Sequence, residues 1–378
     1  VARISTTEIA ALARFGERLS ASGLRGVLAH LVVVDGSHYR RPGARMVFGE
    51  DGSASGSISG GCLEAGLALE CAAVLSQGCS RLVEYDLRGN DDVVWGTGLG
   101  CAGRVEILLS PLTETGILEA VAKVEVGGTL ATVLDAGDFD RGEQALFSGR
   151  NLIGGSRRLA AALSAGETLC QRVLVEAIEP PVRLLAAGTG PDVVPIVAAA
   201  EALGWDVRVF SPRPTRRAQD RFFPHPLHAA AEISAHASSR AAAVVATHNY
   251  LDDFEILRDL LPTDAPYVGL VGARSRVERL TEDCRDILAG VGDSRIFGPA
   301  GLDIGADAPG EIALSIVAEI QAVLRRRPRR SLRDRIGPIH DRAAGERSPD
   351  DIPGAPVVRD TEASGDGACS GTLLRRRP

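Results

Sequence analysis

Apolar residues recur at helical spacing in residues 5–22, where Ile9, Leu12, Phe15 and Leu19 share one stripe. The pattern then changes to a continuous apolar run, VLAHLVVV at 27–34, which predicts a strand, and after the polar turn DGSHYRRPG a second strand follows in ARMVFG. Beyond GSISGGCLEAG at 56–66, Leu67, Cys71 and Val74 return at helical intervals with Leu75 beside them, so 62–77 is predicted as an amphipathic helix with Cys71 on its core face. RLVEYDL at 81–87 alternates as a strand, VVWGTGLGCAGRVEILL runs through a glycine loop into another, and LATVLDAG and EQALFSG add two short ones before the helical SRRLAAALSAG. These segments predict a mixed α/β N-terminal domain over 1–165, joined by a linker at 166–181 to a second domain.

From 182 the apolar runs lengthen. VRLLAAGTGPDVVPIVAAAEALGWDVRVFSPRP at 182–214 reads as strand, glycine turn, helix and strand. AAAVVATH at 241–248 and APYVGLVG at 265–272 are apolar enough for buried parallel strands, and a last helix begins near Pro309 with Ile312, Ile316, Ile320 and Val323 as its stripe. The expected architecture over 182–328 is a Rossmann-like doubly wound parallel sheet, followed by a basic and Gly/Pro-rich tail at 329–378. Ligands of such sheets lie beyond the carboxyl ends of the strands, which selects Gly188, Gly190, His248, Arg274 and Asp303 as candidate binding residues. His248 could instead cap the next helix, and Arg274 could simply solvate its turn.

A net charge of −7 with only 24% charged residues argues against a general affinity for nucleic acid. No apolar run reaches the length of an integral membrane segment, and a cytoplasmic location is expected. The seven cysteines are scattered and make neither a disulfide framework nor paired metal motifs, so each is weighed by its setting. Cys62 stands at a predicted helix start, where unpaired backbone N–H groups favour a thiolate, and Ser59, Gly60 and Gly61 beside it can bring N–H and hydroxyl donors to an anion. Cys101 lies next to Gly100 in the second glycine loop. In the later half, Ser211 ends the second strand where an NAD site usually carries an acid, and Pro191 lacks an N–H; NAD is disfavoured, whereas Arg213 suits NADP or another phosphorylated ligand.

Together GSHYRRPGARM, GSISGGCLEA, WGTGLGCAG, LLAAGTGPDVVPI, GWDVRVFSPRP, VVATHNYLDD, YVGLVGARSR and GLDIGADAPGEIALSI resemble the XdhC/CoxI family of accessory proteins for xanthine dehydrogenase and related molybdenum hydroxylases. The resemblance covers roughly residues 24 to 112 and 182 to 324. It implies that the chain binds molybdenum cofactor (molybdopterin), assists its sulfuration together with a cysteine desulfurase, and inserts it into a molybdenum hydroxylase apo-enzyme. By the same resemblance Cys62 and Cys101 are the catalytic or metal-ligating thiols. A homo-oligomer is also expected. Two other readings stay open: an NADP-dependent oxidoreductase built on the second domain, and a non-catalytic scaffold that docks a dehydrogenase.

Overall fold

In the computed structural model, which describes residues 2–36, 38–86, 103–112, 116–167, 169–212, 226–336 and 374–376, the chain divides into two units. The second spans Pro181–Ile336, and the first contains the residues before it.

Two sheets build the first unit. One has six strands, with Gly26–Gly36 at its centre between Gly103–Pro111 and Arg45–Gly49, then Arg81–Asp86 and Ala54–Gly56 outside these, and Leu374–Arg376 at one edge. Its period-two alternation sorts the side chains: Val27, Ala29 and Leu31 face a core shared with Leu67, Cys71 and Val74 of the helix Glu64–Gln77, while Leu28 and Val32 point the other way. The other sheet orders Ala2–Ser5, Val173–Glu179, Gly128–Val133, Gln144–Ser148 and Asn151–Gly155. It packs the helix Arg157–Ala165 on one face. On the other face Leu130, Leu146 and Ile178 meet Leu28 and Val47 of the first sheet and the helices Thr6–Ala21 and Gly116–Ala122.

The strand Val173–Glu179 corrects the expectation of a linker at 166–181. It pairs parallel with Ala2–Ser5 and antiparallel with Gly128–Val133, so it belongs to the body of its sheet. Glu176 hid it, because a charged residue interrupts the apolar pattern. This carboxylate is fully buried between the sheets, where Arg45 Nη1 and Nη2 reach it at 3.1 and 2.5 Å and His30 Nε2 lies at 3.2 Å. His30 and Arg45 come from neighbouring strands of the other sheet, so one ion-paired cluster crosses the whole layer. A second cluster extends it: Glu106 accepts from Arg104 at 2.7 Å and from Arg172 at 2.9 Å, and Arg172 also holds Asp135 at 2.9 Å.

Six parallel strands form the sheet of the second unit, in the spatial order Leu227–Ala229, Asp206–Ser211, Arg183–Ala187, Ala241–Val245, Tyr267–Leu270 and Ile296–Phe297. Numbered along the chain within this unit, the order is 3-2-1-4-5-6, the doubly wound arrangement. Both faces are covered: the helices Val193–Ala202 and Pro309–Leu324 bury Ile196, Val197, Ile316 and Ile320 on one side, and Tyr250–Leu260 and Arg274–Asp283 bury Ile256, Leu257, Val277 and Leu280 on the other. That double cover explains why the inner strands Arg183–Ala187, Ala241–Val245 and Tyr267–Leu270 read as apolar runs. The fold expected from the sequence is the fold observed. No helix among the described residues is long and apolar enough to cross a membrane.

The buried cluster sets an acid limit on the first unit. Burial alone would raise the Glu176 carboxyl, but Arg45 and His30 outweigh it and hold it at about 2, against an ordinary 4.5. Its contribution is therefore complete above 4.5 and is lost as pH falls toward 2. Burial and the nearby Arg45 charge lower the His30 pKa below the ordinary 6.5, so protonation below that pH favours the unfolded chain as well. Both effects have the same sign. Scanning calorimetry from pH 7.5 to 4 should show the first unit losing stability from about pH 6.5 downward. Glu176→Gln, which strands a buried Arg45, should cost about 3–5 kcal/mol at neutral pH.

Candidate functional site

The turn before Glu64–Gln77 is organised by the first residue of that helix. Glu64 Oε1 accepts from the N–H groups of Ile58 and Ser59 at 3.3 and 2.9 Å, and Oε2 accepts from Gly61 and Leu63 at 3.0 and 3.1 Å and from the Ser59 hydroxyl. Ser59 Oγ in turn accepts from Leu63 N–H at 2.8 Å, and Gly60 N–H donates to Ser57 Oγ at 3.2 Å. Partial burial would raise the Glu64 carboxyl, yet these donors hold it down at about 2, so it is ionised throughout the physiological range.

This arrangement revises the role expected for Ser59, Gly60 and Gly61. The donors of Ser59 and Gly61 do converge on an anion, but the anion is Glu64 of the same chain, and the Gly60 N–H goes to Ser57 Oγ. What the glycines supply is backbone conformation: Gly60 and Gly61 have φ of +78° and +115°, and a Cβ at Gly60 would press on the Tyr39 ring at 3.3 Å. Cys62 sits on the outside of this frame, exposed, one residue before the N-cap Leu63. Beside it the turn containing His38 and Tyr39 is tied down by Arg40, which holds Glu8 at 2.6 and 2.9 Å. His38 is buried close enough to Glu64 to feel its charge, and Tyr39 is 61% exposed. The side of the loop that faces solvent thus offers a thiol and a phenol on a braced backbone. Cys71 lies on the buried face of the following helix, as its spacing predicts, and burial pushes its thiol up to about 12. Cys101 and Gly100 lie outside the described residues.

In the second unit, adjacent strands Arg183–Ala187 and Ala241–Val245 mark the point where strand order reverses, and their carboxyl ends bring Gly188, Gly190 and His248 together. Gly188, at φ +137°, has no room for a side chain, since a Cβ would strike the Ala246 carbonyl. Gly190 leaves space for the Asp192 carboxylate, whose Oδ1 would lie 2.6 Å from a Cβ there. Asp192 Oδ2 reaches His248 Nε2 at 2.8 Å. His248 adopts φ +59°, a left-handed conformation uncommon outside glycine, and its side chain is 56% exposed. Its flanks fix it there: Thr247 bonds Asp253, Asp253 is held by Arg276 at 2.6 Å, and Asn249 caps the helix by accepting from Leu251 and Asp252 at 3.0 and 3.2 Å. Asn249, rather than His248, is therefore the cap, which leaves the imidazole directed by Asp192 toward solvent.

Arg274 opens the helix Arg274–Asp283 and is exposed, whereas Arg276 is the guanidinium that turns back to the sheet edge. Asp303 is exposed in the turn after the outermost strand, Ile296–Phe297, on the same edge but beyond the strand Tyr267–Leu270. Ser211 is buried at the end of Asp206–Ser211, so that strand end presents no carboxylate for ribose hydroxyls. Arg213 lies outside the described residues.

Residues 184–320 match the XdhC Rossmann domain, and residues 19–86 match the XdhC and CoxI family. A Bacillus subtilis protein described as a probable xanthine dehydrogenase subunit is 32% identical over 319 residues, covering 78% of this chain and 92% of that protein. The chain belongs to the XdhC and CoxI family. The molybdenum cofactor insertion chaperone PaoD of Escherichia coli is 26% identical over 317 residues, covering 82% of this chain and 87% of PaoD. A crystal structure described as a xanthine dehydrogenase from Bacillus halodurans superposes with a TM-score of 0.68 at 28% identity, covering 84% of this chain and 96% of that one.

Within the XdhC and CoxI match fall Cys62 and its Glu64 frame, and within the XdhC Rossmann match fall Gly188, Asp192 and His248. Sequence reasoning selected the cysteine and the glycines but missed the carboxylates that arrange them. A Glu two residues after a Gly-Gly-Cys turn, at a helix start, was the available signal for the first; an Asp two residues after Gly190 was the signal for the second.

Brief alkylation with iodoacetamide at pH 7.5, read by mass spectrometry, should modify exposed Cys62 and spare buried Cys71 and Cys284, whose thiols burial pushes upward. Glu64→Ala removes the acceptor shared by four N–H groups. Hydrogen exchange across 58–63 should then accelerate about tenfold or more, because each orphaned donor costs about 1–3 kcal/mol.

Proposed function

We propose that this protein binds molybdenum cofactor as cargo, assists its sulfuration with a cysteine desulfurase, and delivers it to the apo form of a xanthine-dehydrogenase-type molybdenum hydroxylase. The observation that carries this reading is Cys62: an exposed thiol on a loop in which four backbone N–H groups, those of Ile58, Ser59, Gly61 and Leu63, are already bound to Glu64. Likeness to PaoD over most of both chains supports it.

A thiolate is a soft ligand, suited to a metal already bound by sulfur, and a chaperone gains from a contact that exchanges readily with the acceptor enzyme. The rigid frame keeps the cost of ordering the loop out of the binding step. Glu64 has a second effect. Its negative charge and its occupation of the N–H groups make this turn a poor cradle for the pterin's phosphate, so the loop engages the metal end of the cargo and the phosphate needs donors elsewhere.

Purified chain loaded with molybdenum cofactor is assayed for metal by mass spectrometry and for pterin by fluorescence after oxidation. Cys62→Ser should lose most of the bound molybdenum with a stability change within about 0.5 kcal/mol, as expected of an exposed position. Cys101→Ser tests whether the second glycine loop shares the cargo. Full loading in both single variants and in the double variant would remove the thiols from the reading. Calorimetric titration with NAD and NADP separates the oxidoreductase alternative: NAD should bind poorly at a strand end carrying buried Ser211, and tight binding with reversible hydride transfer would replace the chaperone reading. Stable docking to a dehydrogenase without any cofactor retention would favour a scaffold.

A further inference from the structure

The outer strand Leu227–Ala229 of the Rossmann-like sheet and the two single turns after it, Ala230–Glu232 and Ile233–His236, carry three side chains unused by the cofactor reading. His228, Glu232 and His236 each offer one donor atom, and all three atoms lie within 4.8 Å of one another. The two imidazole rings lie 5.1 Å apart at their centroids, inclined at 53°. Both also pack on the fully buried ring of Phe210, at 5.3 and 5.4 Å, which fixes them from the core side. Glu232 is exposed, and both histidines are partly buried.

We propose that His228, Glu232 and His236 form a binding site for a divalent transition-metal ion, zinc by its donor set. Two imidazoles and one carboxylate are nitrogen and oxygen ligands of intermediate softness, the set that suits zinc and its neighbours rather than calcium or magnesium, and three protein ligands leave a position open to water. Zinc–nitrogen and zinc–oxygen bonds near 2.0–2.1 Å place tetrahedral donors about 3.4 Å apart, so a spread of up to 4.8 Å needs on the order of 1 Å of closure. Glu232, free to change rotamer at the surface, supplies most of it. Two cations act against the site: Arg183 and Arg208 are close enough to His236 to repel a positive ion. Both are ion-paired to Asp206, at 2.8 and 3.1 Å, which offsets much of their charge.

The position suggests what the ion does. Leu227–Ala229 is an edge strand joined to the sheet by three residue pairs, and the turns after it are each less than two helical turns long. A metal bridging His228 to Glu232 and His236 would clamp strand to turns and stabilise the edge of the unit by mass action. The site is separate in residues and in ligand preference from the soft thiol of Cys62.

The test uses tag-free, chelator-treated full chain with its exposed thiols alkylated, titrated with zinc chloride by calorimetry and with cobalt(II) as an absorption probe. One equivalent of zinc should bind at micromolar concentration or tighter and raise the melting temperature, and cobalt should give visible bands without a thiolate charge-transfer band. Glu232→Gln, at an exposed position, and His236→Asn should each weaken zinc affinity about tenfold or more while melting like the parent chain in chelator. Should His236→Asn prove poorly folded, Glu232→Gln decides alone. Absence of zinc binding, or binding unchanged in Glu232→Gln, overturns the site, as does binding that appears only when the thiols are left free.

Discussion

A carboxylate withdrawn from water must be matched by donors from its own chain, and in the first unit the fully buried Glu176 and the half-buried Glu64 organise the structure around them. Glu176 is buried between the sheets of the first unit and draws Arg45 and His30 across from the facing sheet. The apolar contacts on either side, with Leu28, Val47 and Ile178 in one cluster and Val32, Leu108 and Leu174 in another, pack around that fixed point. Apolar contacts are non-directional and would tolerate sliding of one sheet over the other, whereas a bidentate arginine–carboxylate pair in a low-dielectric layer permits one register. Glu64 applies the same rule to a shorter segment, with the donors taken from a single turn.

The effect of Glu64 is to convert a glycine-rich loop into a rigid one. Two consecutive glycines, here Gly60 and Gly61 at positive φ, lose more conformational freedom on ordering than any other pair, and the carboxylate's hydrogen bonds offset that loss. In the second unit the strain lies at His248, whose left-handed backbone is maintained by Thr247, Asp253, Arg276 and Asn249 while Asp192 aims its ring. In both units an exposed side chain, Cys62 in the first and His248 in the second, sits on backbone whose conformation the neighbouring hydrogen bonds hold.

The centre of the doubly wound unit was legible in the sequence because its strands are covered on both faces and its helices on one, whereas the outer strands Leu227–Ala229 and Ile296–Phe297 are short and only partly buried and gave no such signal. The first unit was legible only where its strands obey the same logic. Val173–Glu179 failed the test because its central inward residue is charged, and Ala2–Ser5, which pairs with it, is too short to signal alone. At the candidate site, Cys62 and its glycines stood out by residue type, since few functions ask for a thiol between glycines at a helix start. The partners Glu64 and Asp192 did not, because a carboxylate near a helix start is common and only its tertiary neighbours reveal what it binds. Cys101, Gly100 and Arg213 fall outside the described residues.

The filled turn also bears on selectivity. An open glycine nest before a helix would attract phosphate, sulfate and carboxylate alike, all abundant in a cell, and would compete poorly for a scarce metal-containing ligand. Placing Glu64 inside the nest removes that competition: small anions meet a carboxylate and find no free N–H among the residues it engages. What stays accessible is the sulfur of Cys62, for which those anions have no affinity. On the proposed function, a cargo that carries a soft metal centre would be distinguished by an interaction that the common anions cannot make, with the glycine turn contributing geometry while the N–H groups bound to Glu64 are already taken.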